Sequence, residues 1–209
     1  MAYRRREEAG AGGGSRALRT AIFLCLAVLF TAGLPSRLRA APAEVWFSPN
    51  GGAEAALVQL IDGARTRIDA AVYTFTNRAL AQAVVRAHKR GVKIRLILDG
   101  NDESDYSKGY YLRQRGIDVR YARGLVKQYR SRKKQSQKSR KGRHRMRKYG
   151  LMHHKFAVVD GKSVSTGSFN WTASAERFNY ENMLILKSPA LARRYTRTFE
   201  EIWEKTFRK

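Results

Sequence analysis

The sequence predicts an α/β fold with a central mixed, largely parallel sheet flanked by helices on both faces. The prediction rests on the pattern of apolar residues and on the order of the elements that this pattern indicates. From residue 43 onward, segments with apolar residues at every second position alternate with segments whose apolar residues recur every three or four positions. This strand–helix–strand order is typical of crossover units, which place helices over a parallel sheet. The chain has 209 residues, of which 43% are hydrophobic, so we expect one domain with a substantial core.

The predicted elements follow each other along the chain without long gaps until residue 122. Strands are predicted at 43–48, 67–75, 92–99, 117–122, 155–160, 163–168 and 181–187. Helices are predicted at 53–66, 77–91, 106–116, around 172–177 and at 190–206. Ser188 and Pro189 have the residue types that favour the N-cap and the first position of the last helix.

Residues 1–43 have the features of a targeting segment rather than of the fold. Several arginines precede the apolar run 21–34, and small residues follow at 41–43. The run is shorter than the roughly 20 residues that a membrane-spanning helix needs. We therefore predict a signal peptide and a secreted or periplasmic protein, with an uncleaved N-terminal anchor as the alternative. The single cysteine, Cys25, lies in this run, which excludes a disulfide framework and a cysteine-based zinc site from the domain at 44–209.

Positive charge is concentrated in an insert at 123–150. The chain has a formal net charge of +25, and the stretch from Arg123 to Lys148 contains thirteen basic and no acidic residues. We expect this segment to be a loop, since it has no apolar periodicity, and to contact a polyanion such as nucleic acid or an anionic membrane. The alternative is a loop that only aids solubility. The candidate nucleic-acid-binding residues are Lys127, Arg130, Arg132, Lys133, Lys134, Lys138, Arg140, Lys141, Arg143, Arg145, Arg147 and Lys148.

Polar side chains recur at a two-residue spacing between residues 151 and 171. His153 and Lys155 would point to one face of a strand, and Ser168 and Asn170 would do so after the next strand. Gly167 would allow the backbone to approach a ligand closely. An imidazole, an ammonium, a hydroxyl and an amide that converge suit a tetrahedral oxyanion, and histidine can attack phosphorus or transfer a proton. These residues predict a phosphate-binding site with a histidine nucleophile.

The same residues resemble the signature motif of the phospholipase D superfamily, HxKxxxxDxxxxxxGSxN. It matches from His153 and Lys155 through Asp160 and Gly167 to Ser168 and Asn170. The stretches WFSPNGG and AVYTFTNRALAQAVVRAHKRGVKIRLILD are similar to the superfamily's small bacterial endonucleases and to its mitochondrial cardiolipin hydrolase group. The resemblance covers about residues 44–206 without the insert, and it implies the phospholipase D/nuclease fold.

The resemblance also implies a role for each motif residue. His153 would attack phosphorus and form a phosphohistidine, while Lys155, Ser168 and Asn170 would bind the non-bridging oxygens. Glu181, in the downstream stretch NYENMLIL, would orient the histidine and stabilise its positive form. The predicted catalytic residues are thus His153, Lys155 and Glu181. Asp160 would be structural, at the turn between two strands.

A homodimer follows from the single motif. The family's mechanism uses two histidines, and its small members form a twofold dimer in which two copies of the motif meet. We therefore expect His153 of each subunit to contribute to one composite site. We expect no metal and no cofactor, because lysine and amide donors would supply the charge stabilisation.

Three functions remain open from the sequence. The favoured one is a metal-independent, non-specific endonuclease that hydrolyses DNA or RNA. The second is a phospholipase D or cardiolipin hydrolase that acts on phospholipid head groups. The third is a nucleic-acid-binding protein without catalysis, against which the intact motif argues.

Overall fold

The computed structural model describes residues 42–101, 106–125 and 149–208. The strands are β1 (Ala43–Ser48), β2 (Arg67–Val72), β3 (Lys93–Asp99), β4 (Asp118–Ala122), β5 (Lys155–Val159), β6 (Ser163–Gly167) and β7 (Glu181–Lys187). The helices are α1 (Ala53–Asp62), α2 (Arg78–Lys89), α3 (Lys108–Arg113), α4 (Ala173–Arg177) and α5 (Pro189–Trp203). The targeting segment and the twelve candidate basic residues of the insert lie outside the described residues, so the predictions about them stay predictions. None of the described helices has both the length and the apolar character required to cross a bilayer.

The seven strands form one mixed sheet in the order β1-β7-β6-β5-β2-β3-β4. Only β2 with β3 and β3 with β4 pair in parallel, whereas the other four neighbouring pairs are antiparallel. The expectation of a mixed sheet is confirmed, but the description "largely parallel" is wrong for the pairing. The strand–helix–strand rhythm produces parallel neighbours in the first half, while a tight turn makes β5 and β6 a hairpin. Periodicity alone does not show the direction of a strand.

Helices cover both faces of the sheet, as predicted. Side chains of β2 alternate between two apolar clusters, with Ile68, Ala70 and Val72 facing one and Ala71 facing the other. The first cluster includes buried residues of α1, α2 and α3. The second cluster is formed with α5, through Ala192 and Phe199. Burial of both faces explains why the central strands read as continuous apolar runs.

The helices begin where their caps were predicted but end earlier than the periodicity indicated. The Asn77 side chain accepts a hydrogen bond from the amide of Leu80, and the Ser188 side chain accepts one from the amide of Leu191. The helix predicted at 53–66 ends at Asp62 because Gly63 forms its C-cap. The sequence pattern overestimated the length because the turn after α1 also contains apolar residues.

An ion-pair network ties α5 to the sheet at the edge where β2 and β3 begin. Asp69 is 2% exposed and pairs with Arg67 at 2.6 Å and Arg95 at 2.8 Å. Both arginines also bind Glu200 of α5. Burial raises the pKa of Asp69 to about 6 against the lowering effect of Arg67. The network fixes the orientation of α5, which lines a pocket at the opposite edge.

The two ends of the basic insert meet beside the sheet. The Gly124 amide donates to the Gly150 carbonyl at 3.0 Å, and the Gly150 amide donates to the Leu125 carbonyl at 2.8 Å. Arg123 packs over the ring of Tyr149, with 5.4 Å between the guanidinium carbon and the ring centroid. Backbone hydrogen bonds therefore join the residues at the two ends of the insert.

Candidate active site

One edge of the sheet gathers most of the residues that the sequence singled out. The carboxyl ends of β2, β3 and β6 reach this edge, and the amino ends of β5 and β7 start from it, since the latter two strands run in the opposite direction. Lys155 is the first residue of β5, Ser168 follows β6 directly, and Glu181 begins β7. The antiparallel arrangement is therefore what brings these side chains to the same edge.

His153 and Lys155 lie in direct contact. The Lys155 Nζ atom is 3.1 Å from His153 Nδ1 and donates a hydrogen bond to the His153 carbonyl at 2.8 Å. The ring of Tyr73 packs against the imidazole, with 4.4 Å between ring centroids, and Lys155 Nζ lies 4.8 Å from the Tyr73 centroid. His154 turns to the other face, where its ring contacts Phe156 with 5.4 Å between centroids.

The surroundings of His153 favour the neutral form of its imidazole. Burial lowers its pKa below the usual value of 6.5, the Lys155 ammonium lowers it further, and Asp99 partly opposes both. Burial also lowers the pKa of Lys155, and Glu181 opposes that shift. A neutral imidazole has a free ring nitrogen, which is the form that can attack phosphorus.

Ser168 and Asn170 lie in the segment directly after β6. The Ser168 Oγ atom accepts hydrogen bonds from the backbone amide of Asn182 at 3.1 Å and from its side chain at 3.5 Å. Since these bonds use the acceptor lone pairs, the hydroxyl proton of Ser168 is left to donate. The Asn170 Oδ1 atom is buried and has no hydrogen-bond partner among the described residues. The Ser168 hydroxyl is thus available to donate, whereas the unpaired Asn170 atom is an acceptor and can only receive a hydrogen bond.

Gly167 packs closely against the neighbouring strand β7. Its φ is +148°, and a methyl group at this position would overlap with the carbonyl oxygen of Asn182. The close approach is therefore between β6 and β7, where the Ser168 amide donates to the same Asn182 carbonyl at 3.0 Å. Gly167 also lines a pocket formed by β5, β6 and α5, so the expected close approach of a ligand stays a prediction.

Glu181 lies on the Lys155 side of the site. Within the described residues, the hydrogen bond to its carboxylate comes from Asn179 at 3.2 Å and not from the imidazole of His153. Its charge nevertheless reaches Lys155, as the effect on the lysine pKa shows. The predicted role of orienting His153 stays a prediction.

Asp160 lies at the opposite edge, in the turn between β5 and β6. Its φ is +54°, and its carboxylate accepts hydrogen bonds from the amides of Arg65, Thr66 and Arg67 at 2.8 to 3.0 Å. Burial alone would raise its pKa, but these hydrogen bonds lower it. The whole length of β5, at about 3.3 Å for each residue, separates it from the site, so the geometry is that of a structural anchor.

A pocket of about 410 Å³ adjoins the site on the α5 side. Its walls come from β5, β6 and α5, and they combine aromatic, hydroxyl and cationic side chains. The residues include His153, His154, Phe156, Thr166, Arg194 and Tyr195. Tyr195 closes the floor, since its ring contacts Phe156 and its hydroxyl contacts Thr166 Oγ1 at 3.3 Å. The pocket has room for the group bonded to a phosphate at His153.

Sequence reasoning missed Tyr73, Asp99 and Asn182. Each contacts a motif residue or the segment before it, but each belongs to another part of the chain. Asp99 gives a partial signal, because it ends the buried strand predicted at 92–99, but the sequence does not place that strand near the motif. Asn182 follows the predicted Glu181 directly. Within the described residues no three His, Cys, Asp or Glu side chains form a group that could hold a metal ion.

Comparison with known proteins assigns the chain to a family. Residues 57–203 match the family described as "Cardiolipin synthase, PLD-like domain". A mitochondrial cardiolipin hydrolase from Xenopus laevis is 37% identical over 153 residues, which cover 71% of this chain and 59% of that protein. The human mitochondrial cardiolipin hydrolase is 33% identical over 203 residues, covering 90% of this chain and 68% of that protein. The chain thus spans about three fifths to two thirds of the length of these relatives.

Solved structures give the same assignment. A phospholipase D family member, Nuc from Salmonella typhimurium, has a TM-score of 0.64 at 27% identity, covering 80% of this chain and 99% of that one. NucT from Helicobacter pylori has a TM-score of 0.65 at 26% identity, covering 79% and 97%. The chain belongs to the phospholipase D superfamily, a class of phosphodiester hydrolases. The resemblance inferred from the motif and the mixed α/β fold are both confirmed.

Proposed function

We propose that the chain is a metal-independent, non-specific endonuclease that cleaves DNA or RNA through a phosphohistidine at His153. The observation that carries the proposal is the contact between a neutral imidazole and the Lys155 ammonium at one sheet edge. Ser168, at the same edge, has a hydroxyl proton that is available to donate to a phosphate oxygen. The net charge of +25 favours a polyanionic substrate such as nucleic acid.

The proposed reaction has two displacement steps. A ring nitrogen of His153 forms a bond to phosphorus, and the bond from phosphorus to the leaving oxygen breaks. The leaving oxygen takes a proton from a second imidazole. That imidazole then accepts a proton from water, whose oxygen displaces His153 from phosphorus. Lys155, Ser168 and Asn170 would offset the charge that builds up on the non-bridging oxygens.

The second imidazole is proposed to come from a second copy of the chain. Among the described histidines, His154 packs against Phe156 on the other face, and His88 lies beside Gly116 at the opposite edge of the sheet. A twofold axis beside the site would bring two His153 side chains together. Phe178 and Tyr180, which are 76% and 94% exposed, flank the Glu181 partner Asn179 and offer apolar surface for such a contact.

Hydrolysis of a phospholipid head group is the second candidate. The curated relatives named above are cardiolipin hydrolases, and a phospholipase D from Rickettsia prowazekii is 31% identical over 161 residues. The same chemistry acts on both kinds of diester. A polybasic segment also binds anionic membranes, with about 1 kcal/mol for each basic residue near the surface.

One experiment separates the two candidates. The wild-type protein, His153→Ala and the control His88→Ala are each incubated in EDTA with plasmid, single-stranded DNA and cardiolipin vesicles. We expect nicking by the wild type and by His88→Ala, and none by His153→Ala. Head-group release without nicking would support the lipid hydrolase, and nicking by His153→Ala would contradict the proposed nucleophile.

The composite site has its own test. Wild-type and His153→Ala subunits are co-expressed at known ratios under different tags, and the specific activity of the mixture is measured. If each site needs both histidines, an equal mixture with random pairing keeps roughly one quarter of the activity. Retention of one half would show that each subunit works alone. Light scattering of the purified wild type measures the dimer directly.

A further inference from the structure

Asp99 is a buried carboxylate for which the described part of the chain offers no ion-pair partner. It ends β3 and is 1% exposed. The other buried carboxylate of the described residues, Asp69, is neutralised by two arginines. One Asp99 oxygen, Oδ2, is buried with no hydrogen-bond partner among these residues. Because an unpaired charge in such a position costs stability, the residue calls for an explanation beyond packing.

The bonds that Asp99 does make go to the segment immediately before His153. Its Oδ1 atom accepts a hydrogen bond from the Met152 amide at 3.1 Å and one from Asn101 Nδ2 at 3.2 Å. The same Asn101 nitrogen donates to the Gly150 carbonyl at 3.2 Å. Asp99 and Asn101 therefore bind the main chain at two positions, one and three residues before His153.

Those bonds matter because residues 150–154 belong to no strand. Ladder hydrogen bonds of β5 begin only at Lys155, which pairs with Val72. On the far side of His153, the His154 carbonyl accepts a hydrogen bond from the Tyr73 amide at 2.7 Å. The imidazole is thus presented by a short irregular stretch that is held at one end by Tyr73 and at the other by Asp99 with Asn101.

Asp99 also influences the charge of the imidazole. Its carboxylate favours the positive form of His153, whereas burial and Lys155 favour the neutral form. The Lys155 ammonium and the Tyr73 ring contact the imidazole, Asp99 at the end of β3 acts on it through its charge, and Glu181 of β7 acts on Lys155. Among the described residues, Asp99 is therefore the negatively charged group that opposes the effect of Lys155 on the pKa of His153.

We propose that Asp99, together with Asn101, is a positioning residue for His153. It fixes the main chain from Gly150 to Met152, so that the imidazole is presented towards Lys155. Its negative charge also stabilises the imidazole when it becomes positive, either as it bonds to phosphorus or as it carries a proton to the leaving oxygen. The inference rests on the proposed phosphodiesterase function of His153, and it adds a residue outside the motif, on a different strand.

The test compares Asp99→Asn and Asn101→Ala with the wild-type protein. Asp99→Asn keeps the shape and one acceptor oxygen but removes the charge, and Asn101→Ala removes the second link to the main chain. Asp118→Asn is the matched control, because Asp118 begins β4 at the opposite edge, where it pairs with Arg120. The readouts are kcat and KM on bis(4-nitrophenyl) phosphate, and the pKa of His153 from its ring-proton NMR signals, assigned with His153→Ala.

We expect Asp99→Asn to lower kcat about ten- to a hundredfold with KM little changed, since it removes the charge that stabilises the positive imidazole during the reaction and not a contact with the substrate. The pKa of His153 should fall in Asp99→Asn. Asn101→Ala should lower kcat less and leave the pKa unchanged, and Asp118→Asn should behave as wild type in both respects.

Two results overturn the inference: a folded Asp99→Asn protein with wild-type kcat, or an unchanged pKa of His153. If circular dichroism shows that Asp99→Asn does not fold, Asn101→Ala decides the matter, and wild-type kcat in that variant overturns the inference. A wild-type protein that hydrolyses no diester would refute the proposed function instead. The NMR titration would then still show whether Asp99 acts on His153, because it needs no turnover.

Discussion

At the scale of single residues, neighbouring groups shift the pKa of the His153 imidazole in opposite directions. Burial and the contacting Lys155 ammonium lower its pKa, whereas the charge of Asp99 opposes this lowering. The same ammonium would bind the phosphate, so binding of an anion also changes the charge balance at the nucleophile. In the proposed mechanism, one lysine would therefore link the nucleophilicity of His153 to the binding of the substrate.

This link predicts the behaviour of Lys155→Met, which keeps the length of the side chain and removes its charge. The kcat on a small diester should fall about 10²- to 10³-fold, since a group that stabilises the developing charge is removed. The pKa of His153 should rise, because a neighbouring positive charge is gone. Ring-proton NMR and steady-state kinetics measure the two effects, with Lys162→Met, in the distant turn, as control. A lower pKa in Lys155→Met would contradict the geometry.

The motif residues could be predicted from the sequence because their spacing of two matches the period of a strand. Lys155 begins β5, but His153 lies in the irregular segment before that strand, and the two side chains are nevertheless in contact. Tyr73 and Asp99 could not be assigned in the same way, because their contacts with the site depend on β2 lying between β5 and β3 in the sheet. Gly167 was singled out from the sequence, but its close contact with Asn182 was not, since that contact depends on the pairing of β6 with β7.

At the scale of elements, the β5–β6 hairpin connects the motif residues of the site with the structural anchor Asp160. One end carries Lys155 and Ser168, and the other carries Asp160, which accepts bonds from three amides at the start of β2. Asp160 therefore fixes the hairpin to the central strand, and the register of β5 against β2 determines where Lys155 ends up. The sequence indicated both strands but not their antiparallel place in the middle of the sheet.

Asp160→Ala should lower the free energy of unfolding by about 2 to 4 kcal/mol at pH 7, because several amides lose their acceptor. The folded pKa of Asp160 is below its usual 3.8, so its stabilising effect is present above that value and is lost as the pH falls through the lowered pKa. The difference between variant and wild type should therefore shrink in acid. Urea unfolding at several pH values measures it. An equal difference at neutral pH and at a pH below the lowered pKa would show that the carboxylate charge is not involved.

At the scale of the whole molecule, charge and catalysis are separated along the chain. The site is built from residues of the sheet edge, whereas most of the excess positive charge belongs to residues 123–150 and to the N-terminal segment. We propose that the insert increases affinity for a polyanion without taking part in bond cleavage. Composition predicted this division, but the meeting of Gly124 with Gly150 was not predictable, since neither residue belongs to a periodic segment.

The division predicts that replacing residues 126–148 by a short Gly-Ser linker weakens DNA binding and leaves hydrolysis of a small diester nearly unchanged. The dependence of log affinity on log salt should flatten by about 0.9 for each phosphate that the protein no longer neutralises. A variant of unchanged length with the lysines and arginines of 126–148 replaced by glutamine separates charge from length. Fluorescence anisotropy at several salt concentrations measures the slope. An unchanged slope in both variants would remove the insert from substrate binding.

The hydrogen bonds among Gly124, Leu125 and Gly150 make the segment between them suitable for replacement by another sequence. Since the two ends are already held together, a segment of different length or composition can replace the basic one while β4 and β5 keep their places. A descendant of this protein could thus acquire a new target by changing one surface segment, and a protein engineer could graft a binding peptide there. The scaffold would then keep its chemistry, while the interchangeable segment would determine which substrate it reaches.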